Sequence, residues 1–177
     1  MFNKSQITLA FLFGVILSLL ISFGLPAKAE VQTQQVVKIV KVPVELTPKD
    51  RRQIQCLAEN TYFEAGNQTV KGKIAVNNVV MNRVNDPKER FGNTPCSVVS
   101  QKYRGVCQFS WKCEGRKKIR DQELFEQSKK IAEQVYLGNY GDVTGGAKFY
   151  HANYVSPPWG KRMSRLTKIG AHIFYDG

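Results

Sequence analysis

Residues 58–68, AENTYFEAGNQ, contain two glutamates in a stretch that predicts the end of a helix. Helical spacing places Glu64 at the edge of an apolar stripe that includes Leu57, and it turns Glu59 towards the opposite side. A carboxyl group among apolar neighbours holds its proton more tightly, as the general acid of a glycosidic cleavage must. Glu64 is therefore the candidate catalytic residue, and Glu59 is expected to be a solvated charge.

Other hydrolytic chemistries have less support in the sequence. A nucleophilic serine or cysteine needs an adjacent base, but no G-x-S-x-G motif is present and the cysteines fit disulfides. A zinc amidase needs about three protein ligands. The two histidines, His151 and His172, lie in strand-like segments without the spacing of a metal site. We therefore expect neither a metal ion nor another cofactor.

The cysteines occur in an even number: Cys56, Cys96, Cys107 and Cys113. In an oxidising compartment, four cysteines predict two disulfides, with three connectivities to choose from. The short segment between Cys107 and Cys113 favours that pair, which leaves Cys56 with Cys96. A zinc site is the alternative, although no CxxC pair occurs.

Residues 1–29 are typical of a signal peptide. Lys4 precedes an almost wholly apolar run, residues 7–25, and Ala27-Lys28-Ala29 fits the small-x-small cleavage rule. An uncleaved membrane anchor is the alternative, because the apolar run approaches the length that spans a bilayer. Both interpretations, signal peptide and anchor, predict a secreted, periplasmic or cell-wall-associated protein. It contacts the membrane only if this segment stays uncleaved.

The chain is basic, with 26 Lys and Arg against 14 Asp and Glu and a formal net charge of +12. A basic exported protein attracts anionic partners, such as wall polymers. The basic residues are scattered and match no aromatic-basic motif of a nucleic-acid module. A nucleic-acid partner is therefore not expected.

An extended linker, residues 30–46, separates the N-terminal segment from one predicted domain at residues 47–177. The linker contains Pro43, and its apolar and polar residues alternate only in part. This pattern is typical of an extended arm or an edge strand. In the domain, capping residues and apolar periodicity predict helices at residues 48–65, 70–84 and 121–137, with a short helical piece at 97–100.

Three asparagines interrupt the second predicted helix: Asn77, Asn78 and Asn82. Asparagine is a poor helix former. We expect these side chains to make hydrogen bonds inward or towards a cleft, with plain solvent exposure as the alternative.

The second half of the domain has a different pattern. Residues 101–115 predict a disulfide-tied loop that displays the aromatic rings of Tyr103, Phe109 and Trp111. Two strand-like runs follow, at residues 147–152 and 171–176. Predicted helices come first along the chain and short strands follow near its C-terminus. This order predicts an α+β fold that is mainly helical, with a small sheet or hairpin near the C-terminus.

The motifs resemble those of one enzyme family. Residues 56–84, CLAENTYFEAGNQTVKGKIAVNNVVMNRV, resemble the N-terminal motif of the SleB/CwlJ cell-wall hydrolases, written Y-x-E-A-R-G-E, G-Q-x-A-V and V-V-L-N-R. Residues 96–115 resemble the second block of that family, and TGGAKFYHANYVSPPWG with KIGAHIFY resembles its C-terminal block. The resemblance spans about residues 54–175, in the order of the family.

This resemblance implies a lysozyme-like domain that acts on the glycan strands of peptidoglycan. The glutamate of Y-x-E-A is Glu64. Ser110 lies where family members often have Thr, and Tyr150 lies in the aromatic run after the Gly-Gly pair. The sequence departs from the family at Gly66-Asn67-Gln68, which replaces Arg-Gly-Glu, and at Lys73, which replaces a glutamine.

Eight residues are candidates for the substrate cleft, because polysaccharide sites use aromatic rings for stacking and amides for hydroxyl groups. For the aromatic residues, core packing is an equal alternative, and for the histidine a structural role is the main one. The eight candidates are Tyr62, Asn78, Gln101, Phe109, Ser110, Tyr150, His151 and Asn153.

The resulting hypothesis is a peptidoglycan-degrading enzyme that cleaves between N-acetylmuramic acid and N-acetylglucosamine. A lytic transglycosylase needs one carboxyl group for this reaction, whereas most hydrolytic glycosidases use two. The alternatives are a non-catalytic wall-binding module and an N-acetylmuramoyl-L-alanine amidase.

Overall fold

The protein is described by a computed structural model for residues 44–115 and 118–177. The predicted signal peptide and nearly all of the predicted linker lie outside the described residues. Val44–Gly177 form one compact unit. Within its described residues, no helix is both long and apolar enough to cross a membrane.

Four α-helices form the larger part of the described unit. They are α1 (Pro48–Ala65), α2 (Val70–Val84), α3 (Pro95–Ser100) and α4 (Gln122–Tyr136). The three longer helices begin with capping side chains: Thr47, Thr69 and Asp121 accept hydrogen bonds from backbone N–H groups of the turn that follows. The three longer helices confirm the predictions, and α3 begins two residues earlier than predicted because Thr94 caps it.

The helices enclose the main hydrophobic core. Helix α1 packs against the other three helices, and Leu57, Val80, Val98 and Phe125 are buried between them. The Cys56–Cys96 disulfide joins α1 to α3, and the structure also has the predicted Cys107–Cys113 disulfide.

The segment after α3 differs from its prediction. It forms a small hairpin, β1 (Lys102–Tyr103) and β2 (Val106–Cys107), followed by a 3-10 helix at Ser110–Lys112. Tyr103 is displayed, with 63% of its surface exposed, but Phe109 and Trp111 are buried. The prediction of displayed rings was wrong for these two, because Phe109 enters the main core and Trp111 stacks on Phe63.

A three-stranded antiparallel sheet ends the chain. Its strands are β3 (Phe149–Ala152), β4 (Ser164–Ile169) and β5 (His172–Asp176), in the order β3-β5-β4. The sequence predicted β3 and β5 but not β4, whose residues SRLTKI are mostly exposed and contain a register shift between Arg165 and Thr167. An edge strand with polar residues on both faces gives no clear alternation. The α+β prediction is confirmed.

The three asparagines of α2 all make internal hydrogen bonds. Asn77 accepts a hydrogen bond from Thr61 Oγ1 at 2.9 Å, and Asn78 accepts one from the backbone N–H of Val143 at 3.1 Å. Asn82 donates to the backbone carbonyl of Ala147 at 3.0 Å. The inward alternative is therefore confirmed, and α2 is tied by polar contacts to α1 and to the segment before β3.

Candidate active site

Glu64 is the penultimate residue of α1 and is half-buried. The hydroxyl of Tyr150, from β3, donates a hydrogen bond to Glu64 Oε2 at 3.0 Å. Glu59 lies elsewhere on the same helix, where it accepts a hydrogen bond from Gln55 at 3.0 Å and pairs with Lys112 at 3.7 Å. Glu59 is thus half-buried and paired, where a solvated charge was expected. Of the two glutamates, Glu64 is the one that meets the sheet.

Tyr150 is held in place by aromatic neighbours. Its ring lies 5.1 Å from that of His172 and 5.7 Å from that of Phe174, both on β5. Burial raises the pKa of Tyr150 well above its usual value, and the nearby charge of Glu64 raises it further. The tyrosine therefore keeps its proton at neutral pH and acts as a hydrogen-bond donor to the carboxyl group.

Arg83, near the end of α2, is a buried cation beside this pair. Its guanidinium lies over the rings of Phe91, Phe109 and Phe149, at 5.0, 5.3 and 5.5 Å from their centroids. Only 5% of Arg83 is exposed. Three aromatic faces stabilise this largely buried cation.

The polar contacts of Arg83 connect α2 to β3. Its Nε donates to the backbone carbonyl of Lys148 at 2.7 Å, while its Nη1 is buried without a hydrogen-bond partner among the described residues. Burial lowers the pKa of Arg83 to about 10, and the electrostatic influence of Tyr150 and Glu64 acts in the opposite direction. Arg83 is therefore still charged at neutral pH, and it is an electrostatic neighbour of Glu64.

Two of the predicted site residues lie at this place, and a third, Ser110, follows one of them in the sequence. Tyr150 contacts Glu64 directly, and Phe109 lies against Arg83 from the core side. Ser110 follows Phe109, is exposed, and begins the 3-10 helix, where its carbonyl accepts a hydrogen bond from the N–H of Cys113.

Two predicted site residues make structural contacts instead. The hydroxyl of Tyr62 accepts hydrogen bonds from the N–H groups of Arg120 and Asp121, both at 3.1 Å, and so fixes the start of α4. Asn78 is 4% exposed, and its side chain holds the N–H of Val143.

The other three predicted residues are placed around β3. His151 has its Nε2 2.9 Å from the Tyr175 hydroxyl; it follows Tyr150 in the strand, so it points to the opposite face of the sheet. Asn153 is exposed just after β3. Gln101, after α3, donates from Nε2 to the backbone carbonyl of Arg90 at 3.2 Å and lines a cavity with Phe149.

Gln68, where the family pattern has an acidic residue, has a structural role. Its Oε1 accepts a hydrogen bond from the N–H of Ala171 at 3.0 Å, in the two-residue turn between β4 and β5. The preceding Gly170 has φ +56, and a Cβ there would lie 2.5 Å from Gln68 Oε1. Thr69, and not Gln68, caps α2. The side chain at position 68 thus fastens the hairpin turn, for which an amide suffices.

The sequence interpretation missed Arg83, Phe91 and Phe149. A signal for Arg83 was present, because it lies four positions after Val79 and three after Val80, on the apolar stripe of α2. A cation on a buried stripe needs partners, but nothing local showed that they are rings from a loop and a distant strand.

No group of three or more His, Cys, Asp or Glu side chains suited to a metal ion occurs within residues 44–115 and 118–177. The two histidines are separated by the sheet, since His172 lies against Tyr150 and His151 against Tyr175. Burial lowers the pKa of His172, and the neighbouring His151 lowers it further. The neighbours that the described residues give Glu64 include the tyrosine donor Tyr150 and the cation of Arg83.

Comparison with known proteins gives related domains. The profile of the cell wall hydrolase family matches residues 67–175. The catalytic domain of the lytic transglycosylase SleB from Bacillus anthracis is similar over 76% of this chain and 100% of its own, with 26% identity and a TM-score of 0.57. The catalytic domain of the Bacillus cereus SleB protein is similar over 76% of this chain and 95% of its own, with 28% identity and a TM-score of 0.57. Among curated protein sequences, none matches this chain.

The mainly helical domain with a carboxyl group facing a small sheet is a lysozyme-like catalytic fold. Because the family match covers more than half of the chain, the protein belongs to the cell wall hydrolase family. It is an enzyme that degrades peptidoglycan, and the family resemblance read from the sequence is confirmed. The family match begins at Asn67, after Glu64, so the role of Glu64 depends on the site geometry and on the motif Y-x-E-A.

Proposed function

We propose that the enzyme cleaves peptidoglycan glycan strands between N-acetylmuramic acid and N-acetylglucosamine, as a lytic transglycosylase, with Glu64 as its single acid and base. The observation that carries this proposal is the hydrogen bond from Tyr150 to Glu64 Oε2 at the end of α1. It places a carboxyl group where a helix end meets the sheet, with one oxygen oriented by a donor. Similarity to the lytic transglycosylase SleB supports the reaction type.

In the first step, protonated Glu64 donates its proton to the oxygen of the glycosidic bond. The bond between that oxygen and C1 of N-acetylmuramic acid breaks, and the leaving sugar keeps the bonding electron pair and the proton. An oxocarbenium-like centre forms at C1. The resulting carboxylate of Glu64 is stabilised by the Tyr150 hydroxyl and by the charge of Arg83.

In the second step, the C6 hydroxyl of the same N-acetylmuramic acid attacks C1. Glu64 takes the proton of that hydroxyl and returns to its starting state, while the new C1–O6 bond gives a 1,6-anhydro ring. The step needs no water and no second carboxylate. One glutamate thus acts first as acid and then as base.

The other carboxylates that could assist Glu64 have structural tasks. Both oxygens of Asp142 are engaged, by Thr144, by the N–H of Gly146 and by Asn82. Asp121 caps α4 through the N–H of Leu124 at 2.9 Å. Their engagement favours the single-carboxylate scheme over a two-carboxylate hydrolysis.

Two further acidic residues, Glu114 and Glu123, are on the surface. Glu123 is exposed in the first turn of α4, where it accepts a hydrogen bond from Gln127 at 3.5 Å. Glu114 is exposed beside the Cys107–Cys113 disulfide. Neither residue takes part in the reaction that we propose.

The site of action that we infer lies outside the cytoplasm. The two disulfides fit an oxidising compartment, and peptidoglycan is the substrate. The net charge of +12 adds attraction to anionic wall polymers as a second, weaker contact. The N-terminal 29 residues would then serve as an export signal or as an anchor.

The test is digestion of purified peptidoglycan with the wild-type enzyme and with Glu64→Gln, followed by mass spectrometry of the products. We expect 1,6-anhydro muropeptides from the wild type and none from Glu64→Gln. Glu59→Gln is the matched control, since it makes the same change on the same helix away from Tyr150. It should release products at the wild-type rate.

Each alternative gives a different product. Reducing N-acetylmuramic acid ends would replace the transglycosylase scheme by hydrolysis. Free peptide amino termini with intact glycan would indicate an amidase. Binding to the wall without products, in a folded wild-type protein, would indicate a wall-binding module, and substantial activity of Glu64→Gln would remove Glu64 from the mechanism.

A further inference from the structure

A second cavity, of about 240 Å³, lies between the β1–β2 hairpin and β3. Its volume is just below the range of about 300–1,000 Å³ of pockets for drug-sized ligands, so it suits one ring-sized group. Six side chains line it: Arg90, Phe91, Gln101, Tyr103, Gln108 and Phe149. A larger cavity, of about 610 Å³, lies beside residues 83–93 and includes the carboxylates of Asp86 and Glu89.

The smaller cavity is linked to the Glu64 site by Arg83, which lies over the rings of Phe91 and Phe149 and is an electrostatic neighbour of Glu64. Phe149 lines the cavity, and the next residue, Tyr150, binds Glu64. Neighbouring residues of a strand point to opposite faces, and β3 is at the edge of its sheet. A polymer that passes the free edge of β3 can therefore contact both places.

The one charged side chain in the lining of this cavity, Arg90, is paired. The guanidinium of Arg104 lies over the Tyr103 ring, 5.4 Å from its centroid. Arg90 donates to both carboxylate oxygens of Asp86, at 2.9 and 3.1 Å. Hydrogen bonds from Arg90 lower the pKa of Asp86 to about 2, so the carboxylate is ionised at neutral pH. The guanidinium of Arg90 is thus neutralised by its own partner. Peptide-stem carboxylates and polymer phosphates therefore gain little electrostatic attraction from Arg90 in this cavity.

What remains in the lining is rings and amides. Tyr103 is exposed, and Phe91 and Phe149 have ring centroids 5.9 Å apart. Gln108 contributes a side-chain amide to the lining. Gln101 donates from Nε2 to the carbonyl of Arg90, and its Oε1 is buried without a hydrogen-bond partner among the described residues. Apolar faces with a few oriented polar groups match a neutral ring that has both C–H faces and hydroxyl or amide substituents.

We propose that this cavity is a subsite for one uncharged N-acetylated sugar ring of the glycan strand, stacked on Tyr103 and hydrogen-bonded by Gln108. The proposal rests on the proposed function, since it assigns a further contact to the same substrate. It adds Tyr103 and Gln108 to the residues that bind substrate. Tyr103 is also the aromatic residue of the segment at residues 101–115 that is exposed to solvent.

The test is binding of a soluble N-acetylglucosamine tetramer, followed by NMR titration. The tetramer contains no N-acetylmuramic acid, so the proposed reaction cannot cleave it, and the wild-type enzyme is used. Binding is therefore measured whether or not Glu64 is the catalytic residue. We expect resonance shifts in residues 101–108, and binding about tenfold weaker in Tyr103→Ala and in Gln108→Ala. Tyr140→Ala is the matched control, because Tyr140 is also exposed, at 40%, but lies in the loop after α4.

The results decide the proposal in either direction. Unchanged affinity in Tyr103→Ala and Gln108→Ala would overturn it, as would shifts confined to residues outside the cavity or no binding of the tetramer. Preferential binding of an anionic stem peptide at the cavity would also overturn it. A wild-type digest that lacks 1,6-anhydro products, together with tetramer binding at residues 101–108, would reject the proposed reaction and keep the subsite.

Discussion

The candidate active site has two walls that are held in different ways. The helix wall is α1, which carries Glu64, and the sheet wall is β3, which carries Tyr150. The helix wall is joined covalently to α3 by Cys56–Cys96. The sheet wall is joined to the helices by hydrogen bonds, from Arg83 to Lys148 and from Asn82 to Ala147, at 2.7 and 3.0 Å.

This difference identifies α2 as the element that sets the distance between the walls. Its middle is bonded to α1 through Thr61 and Asn77, and its last turn holds the residues before β3 through Asn82 and Arg83. The two walls thus share one support. We infer that changes to the helix wall act on global stability, whereas changes to the sheet wall act on the geometry around Glu64.

The largest expected effect is on stability, from removal of the disulfide in the helix wall. Cys56–Cys96 spans 40 residues, and loop-closure entropy predicts a loss of about 4 kcal/mol for a closed loop of that length. Cys107–Cys113 spans 6 residues, for which the same relation gives about 2 kcal/mol. Urea unfolding of Cys56→Ala/Cys96→Ala and Cys107→Ala/Cys113→Ala measures both.

The ratio of these two losses is the informative quantity. If removal of Cys107–Cys113 is as costly as removal of Cys56–Cys96, the short loop contributes packing as well as entropy. The buried Trp111 would then be the first residue to examine, since it lies between Cys107 and Cys113 and donates to Asn60 at 3.1 Å.

The next effect is on activity, from loss of the contact between the walls. Tyr150→Phe removes the hydrogen bond to Glu64 and keeps the ring. A hydrogen bond to a charged group contributes about 1.5–3 kcal/mol, so we expect kcat/KM to fall about 10- to 100-fold. Rates of anhydro-muropeptide release from purified glycan strands give this number.

Tyr175→Phe is the matched control for Tyr150→Phe. It removes a hydroxyl from the same sheet, but that hydroxyl meets His151 at 2.9 Å on the opposite face. We expect near wild-type activity from it. Equal losses of kcat/KM in the two variants would show that removing either hydroxyl disturbs the sheet in the same way. The contact with Glu64 would then have no specific effect on activity.

The helix wall could be predicted from the sequence because its signals are local. Thr47, Pro48 and Asp50 mark the start of α1, and the stripe around Leu57 separates Glu64 from Glu59. These features involve neighbours within a few turns of helix, where spacing translates directly into position.

The sheet wall and its contacts could not be predicted in the same way. Tyr150 and Glu64 are 86 positions apart, and only the family motif drew attention to Tyr150. The rings around Arg83 come from a loop, from the disulfide-tied segment and from β3. Such contacts depend on how elements pack, which periodicity does not encode. Phe109 was misread for this reason, since a ring among polar residues shows no sign of its distant core partners.

A smaller effect is expected at the turn that supports the sheet wall. Gln68→Ala removes the acceptor of the Ala171 N–H, and loss of one such hydrogen bond should cost about 1 kcal/mol in stability. Gln68→Glu keeps a carboxyl oxygen for that N–H and restores the acidic residue of the family pattern. We expect its stability to stay within about 0.5 kcal/mol of the wild type.

Activity of the same two variants tests why the family departure is tolerated. If position 68 only fastens the turn, Gln68→Glu should release products at the wild-type rate. A marked gain of activity in Gln68→Glu would show that the acidic residue has a role in the reaction that the amide does not fill.

The last expected effect is that of acid on the loop after α2, which contacts the end of the chain. The pKa of Asp86 is lowered from 3.8 to about 2 by its hydrogen bonds from Arg90, and Arg90 also donates to the carbonyl of Gly177, after β5. A lowered folded-state pKa means that the stabilisation is present above pH 3.8 and is lost as the pH falls towards 2. Asp86→Asn lacks this contribution at every pH.

Melting temperatures of the wild type and of Asp86→Asn should therefore differ most above about pH 5 and converge on acidification. A difference that stays constant down to pH 2 would mean that Asp86 stabilises the loop by neutral hydrogen bonds, and that the contact of this loop with the chain end does not depend on the charge of Asp86.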